Sequence, residues 1–305
     1  MTTAPGSPIA AAFCAQLRRD SYVRLSMPAE LVKEAQQHCK RFFALPTHAK
    51  IEQAGELSNL EGRHVGFAVE PGLRERVEVR QTVAGDVQPP AFASLQPLLA
   101  ALGGYACGLL RLIAVDLGHA ADFFDATQAM RSKGTSAAQL QHSPMRICHY
   151  ERRLEERAED EACVTPCAPH YDVGLLTLNP AGSAPGLEVL RAADQQWVAL
   201  EEDQPQNASR VYLTVMVGKK LFGYPPALHR VVAPAPGTSR LSLPFLLRGS
   251  DEAFLPASLN KASLALLRAE SRQARAEEKA KRRHRQDRGW VSTPTVTRTL
   301  GLEAK

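Results

Sequence analysis

The sequence predicts a mostly β protein: a two-sheet jelly roll, or double-stranded β-helix, with flanking helices and an α/β amino-terminal region. Two patterns and one bound point to it. From Met145 onward the chain breaks into short apolar runs separated by Pro and Gly, as many short strands with frequent turns require. Upstream, the apolar period is helical in two stretches. The chain has 305 residues, 44% apolar and 23% charged, an ordinary globular balance that can bury one large core or two smaller ones.

Taken in order, residues 1–19 are alanine-rich, carry no acid before Asp20, and read as a loose leader. Residues 20–130 form the α/β region. Within it Val32, Ala35, Cys39, Phe42 and Phe43 mark one helical face over 29–43, with Pro28 at its start and Pro46 past its end. A second stripe, Leu95, Leu98, Leu99, Leu102, Ala106, Leu109, Leu110 and Ile113, steps by three and four and stops near Gly118. That is the pattern of a buried support helix. Residues 131–250 hold the strand runs MRICHY, HYDVGLLTL, GLEVL, QWVAL, SRVYLTVMV, LHRVV and SRLSLPFLL. The charged run ERRLEERAEDEACVTPCAP between the first two is long for a hairpin and reads as a surface excursion. Residues 251–305 form a helix and a basic tail.

The net charge of +5 is local, because nine Lys or Arg and four acids between Arg268 and Arg288 account for all of it. The KRRHR cluster there lacks interleaved aromatic residues, so a solvated terminal helix is expected rather than a nucleic-acid surface. The body is expected to fold without residues 272–305. Arg111 and Asp116 interrupt the most apolar run, and no stretch approaches the roughly 18 residues of a membrane span. Six unevenly spaced cysteines suit a reducing, cytoplasmic setting, with Cys163 and Cys167 close enough together for a second metal or a redox pair or, more simply, free loop thiols.

The residues that carry chemistry are His170-Tyr171-Asp172, then His229, then Arg240-Leu241-Ser242. In an extended strand alternate side chains share a face, so His170 and Asp172 are expected to point together. Adding His229 from a distant strand gives two imidazoles and one carboxylate, a set that holds iron(II) and leaves one side of the ion open.

This order of motifs resembles the iron(II)- and 2-oxoglutarate-dependent dioxygenases of the isopenicillin N synthase-like branch, whose signature reads His-x-Asp, His-Arg-Val, Arg-x-Ser. The likeness extends upstream. SYVRLSMPAELVKEAQQHCKRFFALPTHAK is similar to that family's opening strand, helix and turn, GRHVGFAVEPGLRERVEVRQ to its Gly-aromatic and Glu-x-Arg segment, and DLGHAADFFDA to the punctuation before its barrel. Together these span roughly residues 20 to 250.

The resemblance implies an enzyme that binds iron(II) through His170, Asp172 and His229, and uses 2-oxoglutarate and dioxygen on a small organic molecule. It also implies that Arg240 and Ser242 hold the far carboxylate of 2-oxoglutarate, a planar fork with a hydroxyl beside it on the same strand face. Tyr150 corresponds to the family's tyrosine at that carboxylate, although Cys148 stands where the family carries asparagine. Arg146, two strand positions before Cys148, should point inward and needs either an internal acid or an anionic substrate. Before His229 only Gly218-x-x-Leu221 remains of the family's Asn- and Gly-rich pattern. Two rivals stay open: an oxidase of the same fold that dispenses with 2-oxoglutarate, and a non-catalytic binding protein that uses its basic tail.

Overall fold

The computed structural model describes residues 7–60, 63–71, 73–82, 85–124, 142–151, 165–204 and 209–248. The basic tail, Cys163 and most of the charged excursion lie outside these residues.

The presumed leader is structured from Pro8. Helix α1 (Pro8–Asp20) starts with Pro in its first turn and with Ser7 as its cap, the Ser7 hydroxyl accepting from the Ala10 N–H at 3.3 Å. Ala10, Phe13, Cys14 and Leu17 are buried, spaced as one helical face. The expectation of a loose segment fails because these four apolar side chains find a surface to cover. Strand β1 (Tyr22–Pro28) and helix α2 (Ala29–Phe43) follow, the latter burying the stripe seen in sequence. Helix α3 (Thr47–Ala54) and strands β2 (Ser58–Leu60), β3 (Arg63–Glu70), β4 (Arg74–Gln81) and β5 (Val87–Gln88) complete the first part.

The helical stretch Pro90–Asp116, most of it helix α4 (Gln96–Asp116), is long and apolar enough to cross a membrane by length and composition, contrary to the reading of its sequence. Its buried residues, among them Leu98, Leu99, Leu102, Ala106, Leu110 and Ile113, belong to the main core cluster and pack beneath the larger sheet. Arg18 of α1 donates to Asp116 at 2.9 Å, and the Tyr224 hydroxyl donates to the same carboxylate.

The remaining strands are β6 (Met145–Glu151), β7 (Cys167–His170), β8 (Leu176–Pro180), β9 (Leu187–Leu190), β10 (Trp197–Ala199), β11 (Arg210–Val217), β12 (His229–Val231), β13 (Ser239–Ser242) and β14 (Phe245–Leu247). They build two antiparallel sheets. The larger runs β1-β11-β8-β14-β6-β4-β3-β2, with β13 also on β6 and β5 on β4. The smaller runs β10-β9-β12-β7. This is the jelly roll expected, extended by the amino-terminal strands.

Alternation gives the larger sheet two different faces. Val77, Val79, Ile147, Leu178, Val215 and Phe245 join the core under α2 and α4. The opposite face is polar and turns toward the smaller sheet, sealed by two small apolar clusters: Tyr22, Leu187, Val189 and Met216, and Cys148, Tyr150, Val231 and Cys167. Between these seals lies the site.

Candidate active site and metal centre

The two ligands expected on one strand reach the site by another route. Strand β7 ends at His170, the chain crosses from the smaller sheet to the larger through residues 171–175, and β8 begins at Leu176. Asp172 therefore sits on the crossing rather than on the strand. Two glycines permit it: a Cβ on Gly174 would lie 2.4 Å from the Leu247 carbonyl oxygen, and one on Gly218 would lie 2.2 Å from the Gly174 carbonyl oxygen. The close approach lets the N–H groups of Gly218, Lys219 and Lys220 donate to Leu175, Asp172 and Gly174 at 2.8, 2.8 and 3.0 Å. Gly218, the survivor of the family's pattern before the distal histidine, pins the turn that carries Asp172.

His229 stands opposite His170 in the β12–β7 register. The ring centroids are 4.3 Å apart, and His170, Asp172 and His229 each offer a ligand atom within 4.8 Å of the others. His170 Nδ1 lies 2.9 Å from the Ala168 carbonyl oxygen and His229 Nδ1 lies 3.1 Å from that of Ala227. A proton on Nδ1, donated to these carbonyls, leaves the Nε2 lone pairs for a metal. Both Nε2 atoms face Asp172, at 3.8 and 3.6 Å. The Thr177 hydroxyl donates to Asp172 Oδ2 at 2.5 Å, fixing the carboxylate from behind. These donors fit a divalent cation that takes imidazole and carboxylate with sites to spare.

The electrostatics of Asp172 and His229 agree with a cation site, whereas His170 favours its proton, which a metal would have to displace. Burial works to raise the Asp172 carboxyl, but His229, His170, the Thr177 hydroxyl and Arg146 outweigh it and hold the group below the ordinary range. Burial lowers His229, keeping that ring neutral. For His170 burial is overcome by the Cys167 sulfur, 3.7 Å from Nδ1, and by Asp172, which push the ring up to about 9. Among the described residues Cys167 meets this ligand and forms no disulfide.

Strand β6 lies between β4 and β13, with Arg240 opposite Tyr150, Ser242 and Arg76 opposite Cys148, and Glu78 opposite Arg146. Paired side chains share a face, so all of these point inward. Arg240 is fully buried. Its guanidinium lies 5.6 Å from the Tyr150 ring and carries an ion pair that the sequence did not reveal: Nη2 donates to both oxygens of Glu201 at 3.0 Å, while Nε donates to the Ala184 carbonyl at 3.0 Å. Nη1 is buried with no hydrogen-bond partner among the described residues. Gly182 and Gly186 cradle the group, since a Cβ on either would come within 2.9 Å of it.

Arg146 meets the internal acid that was the alternative to a substrate. Its Nε and Nη2 donate to Glu78 Oε1 at 3.1 and 2.7 Å, and Arg76 Nη1 reaches the same oxygen at 2.9 Å. Burial tends to raise the Glu78 carboxyl, but Arg146, Arg76 and Arg80 keep it below the usual range. A carboxyl depressed by folding contributes stability that is complete above its unfolded value, near 4.5, and is lost as pH falls through the folded value. Glu78→Gln removes the counter-charge that Arg146, Arg76 and Arg80 share, and is expected to cost about 3–5 kcal/mol at neutral pH. Thermal denaturation between roughly pH 3 and pH 7 should show a shallower acid slope than in the parent. An equal slope would mean that Glu78 does not govern acid stability.

Thr177, Glu201 and Arg74 escaped sequence reasoning. Thr177 and Asn179 alternate inward along LTLNP, a signal that alternation could have supplied. Glu201 follows β10 with no distinguishing motif. Arg74 Nη1 lies 3.4 Å from the Tyr150 hydroxyl, on the side opposite Arg240.

Neither the protein-family models nor the curated proteins contain a match to this sequence. Solved structures do. A protein assigned to the 2OG-Fe(II) oxygenase family from Caulobacter crescentus is 25% identical, with a TM-score of 0.60 over 82% of this chain and 87% of that one. A Neurospora crassa protein in complex with alpha-KG and thymine is 16% identical, with a TM-score of 0.64 over 82% and 85%. JOX2 in complex with 2OG, Fe and JA is 17% identical, with a TM-score of 0.62 over 84% and 77%. Over most of its length the chain shares the fold of 2OG-Fe(II) oxygenase family proteins, and two histidines and an aspartate converge between its sheets.

Proposed function

We propose that the protein is an iron(II)- and 2-oxoglutarate-dependent dioxygenase of the isopenicillin N synthase-like branch, acting on a small organic molecule. The observation that carries this is the convergence of His170, Asp172 and His229 with both Nε2 atoms turned inward by carbonyl bonds at Nδ1. Bound iron(II) with 2-oxoglutarate would supply dioxygen activation, coupled to decarboxylation of the cosubstrate to succinate. The protein's part is to place and charge the partners. Asp172 stays ionised, Thr177 fixes it, and the two carbonyls orient the rings. Arg240 Nη1, Tyr150 and Ser242 are the groups that would receive the cosubstrate's far carboxylate.

The site is open on one side. The His170 side chain is 34% exposed against 7% for His229, and Tyr171 and Val173 are exposed beside it. That edge is the approach for an apolar substrate, which would be hydroxylated, desaturated or cyclised by the same centre. Arg146, its fork held by Glu78, would act on an anionic substrate only through its charge. The unpaired state of the described cysteines supports a cytoplasmic setting.

One observation favours the oxidase that dispenses with 2-oxoglutarate: Arg240 already holds a carboxylate, that of Glu201. The deciding experiment incubates iron(II)-loaded protein with 2-oxoglutarate, dioxygen and a metabolite extract. Substrate-dependent succinate with a product heavier by one oxygen atom, or lighter by two hydrogens, is expected. A product without succinate would establish the oxidase.

A further inference from the structure

Two cations flank Tyr150, and each has its own acid. Arg240 Nη2 spans both oxygens of Glu201, and Arg74 Nε donates to Glu70 at 2.9 Å. Glu201 is held in place independently of Arg240, because its oxygens also accept the N–H groups of Gly182 and Leu187 at 2.8 and 3.0 Å. Its side chain is 3% exposed, so no solvent screens it from the guanidinium. The pair is a built element of the wall. Gly182 and Gly186 make room for the Arg240 side chain, the Ala184 carbonyl accepts from it, and among the described residues only its Nη1 has no hydrogen-bond partner.

A ligand at Nη1 therefore meets a hydrogen-bond donor whose charge is largely cancelled from behind. Coulomb energy falls only as the inverse of distance, so for a carboxylate approaching Arg240 at Nη1 the repulsion from Glu201, though weaker than the attraction, offsets much of it. We propose that Glu201 sets the cosubstrate specificity of this enzyme, by neutralising Arg240 so that the site accepts 2-oxo acids whose remote end is an uncharged hydrogen-bond acceptor as well as 2-oxoglutarate. The proposal rests on the assignment of Arg240 to the cosubstrate made above. An unopposed buried arginine would make loss of the ligand's remote charge cost about two to four orders of magnitude in affinity. With Glu201 in place, what remains to lose is mainly one hydrogen bond's difference, about tenfold.

The test is anaerobic calorimetry on the iron(II)-loaded full chain with two probes, 2-oxoglutarate and 2,5-dioxohexanoate, whose methyl ketone keeps an acceptor oxygen and lacks the remote charge. The parent is expected to prefer 2-oxoglutarate by less than about thirtyfold; a larger preference overturns the proposal. Glu201→Gln keeps the shape and removes the opposing charge, and should raise that preference by about tenfold or more. An unchanged or smaller preference in the variant also overturns it. Gln cannot satisfy both the Gly182 and Leu187 N–H groups, so should this variant fail to fold, the parent ratio decides alone. Arg240→Leu separates the two levels: unchanged affinity for both probes would remove Arg240 from the cosubstrate site and sink the underlying assignment instead.

Discussion

Asp172→Ala is expected to lower iron(II) affinity by at least about a hundredfold and to abolish turnover. The carboxylate is the sole anion of the ligand set, and it balances the charge of the ion as well as coordinating it. Its loss leaves two neutral imidazoles, a weaker site with no anion to balance the divalent charge. The Thr177 hydroxyl and the turn through Gly174 remain, so the fold should persist. Equilibrium dialysis against iron(II) measures the first effect. Thermal denaturation with and without metal gives a second readout, because the parent should be stabilised by the ion and the variant should not. Retention of parental iron affinity in Asp172→Ala would place the metal elsewhere.

Arg240→Leu carries the second large effect, and it acts on two properties at once. The variant strands Glu201, a fully buried carboxylate that keeps its backbone donors but loses its counter-charge, at a cost of about 3–5 kcal/mol in stability. It also puts that bare anion beside the incoming cosubstrate, so 2-oxoglutarate affinity should fall by about two orders of magnitude or more. Adding Glu201→Leu separates the two. The double variant removes both members of a buried pair, so stability should return most of the way toward the parent. Cosubstrate affinity should stay about tenfold below the parental value, because Nη1 is gone while no bare anion stands in its place. Calorimetry and chemical denaturation on the four proteins of the cycle, with iron content as control, provide the measurement. A double variant with parental affinity would show that the far carboxylate is bound elsewhere.

The sequence by itself determined the elements and the chemistry. Period and punctuation placed α2 and α4 nearly to the residue, because a helix needs a continuous apolar stripe and stops where Pro and Gly stop it. His170, Asp172, His229, Tyr150, Arg240 and Ser242 were singled out by their order and by its resemblance to a family's motifs, and the tertiary structure brings the three proposed metal ligands together. Residues 8–20 were misread since their short apolar face becomes meaningful only when a surface exists for it to cover. Only tertiary structure decided how the ligands meet. Alternation along a single strand predicted the right neighbours for the wrong reason: Asp172 lies on a crossing between sheets, held where two glycines let backbones touch. It alone revealed Glu201 beside Arg240 and Glu78 beside Arg146, for ion pairs across 39 and 68 residues leave no local pattern. Periodicity records what each residue must bury, whereas the partner of a buried charge is fixed only when the sheets close upon it.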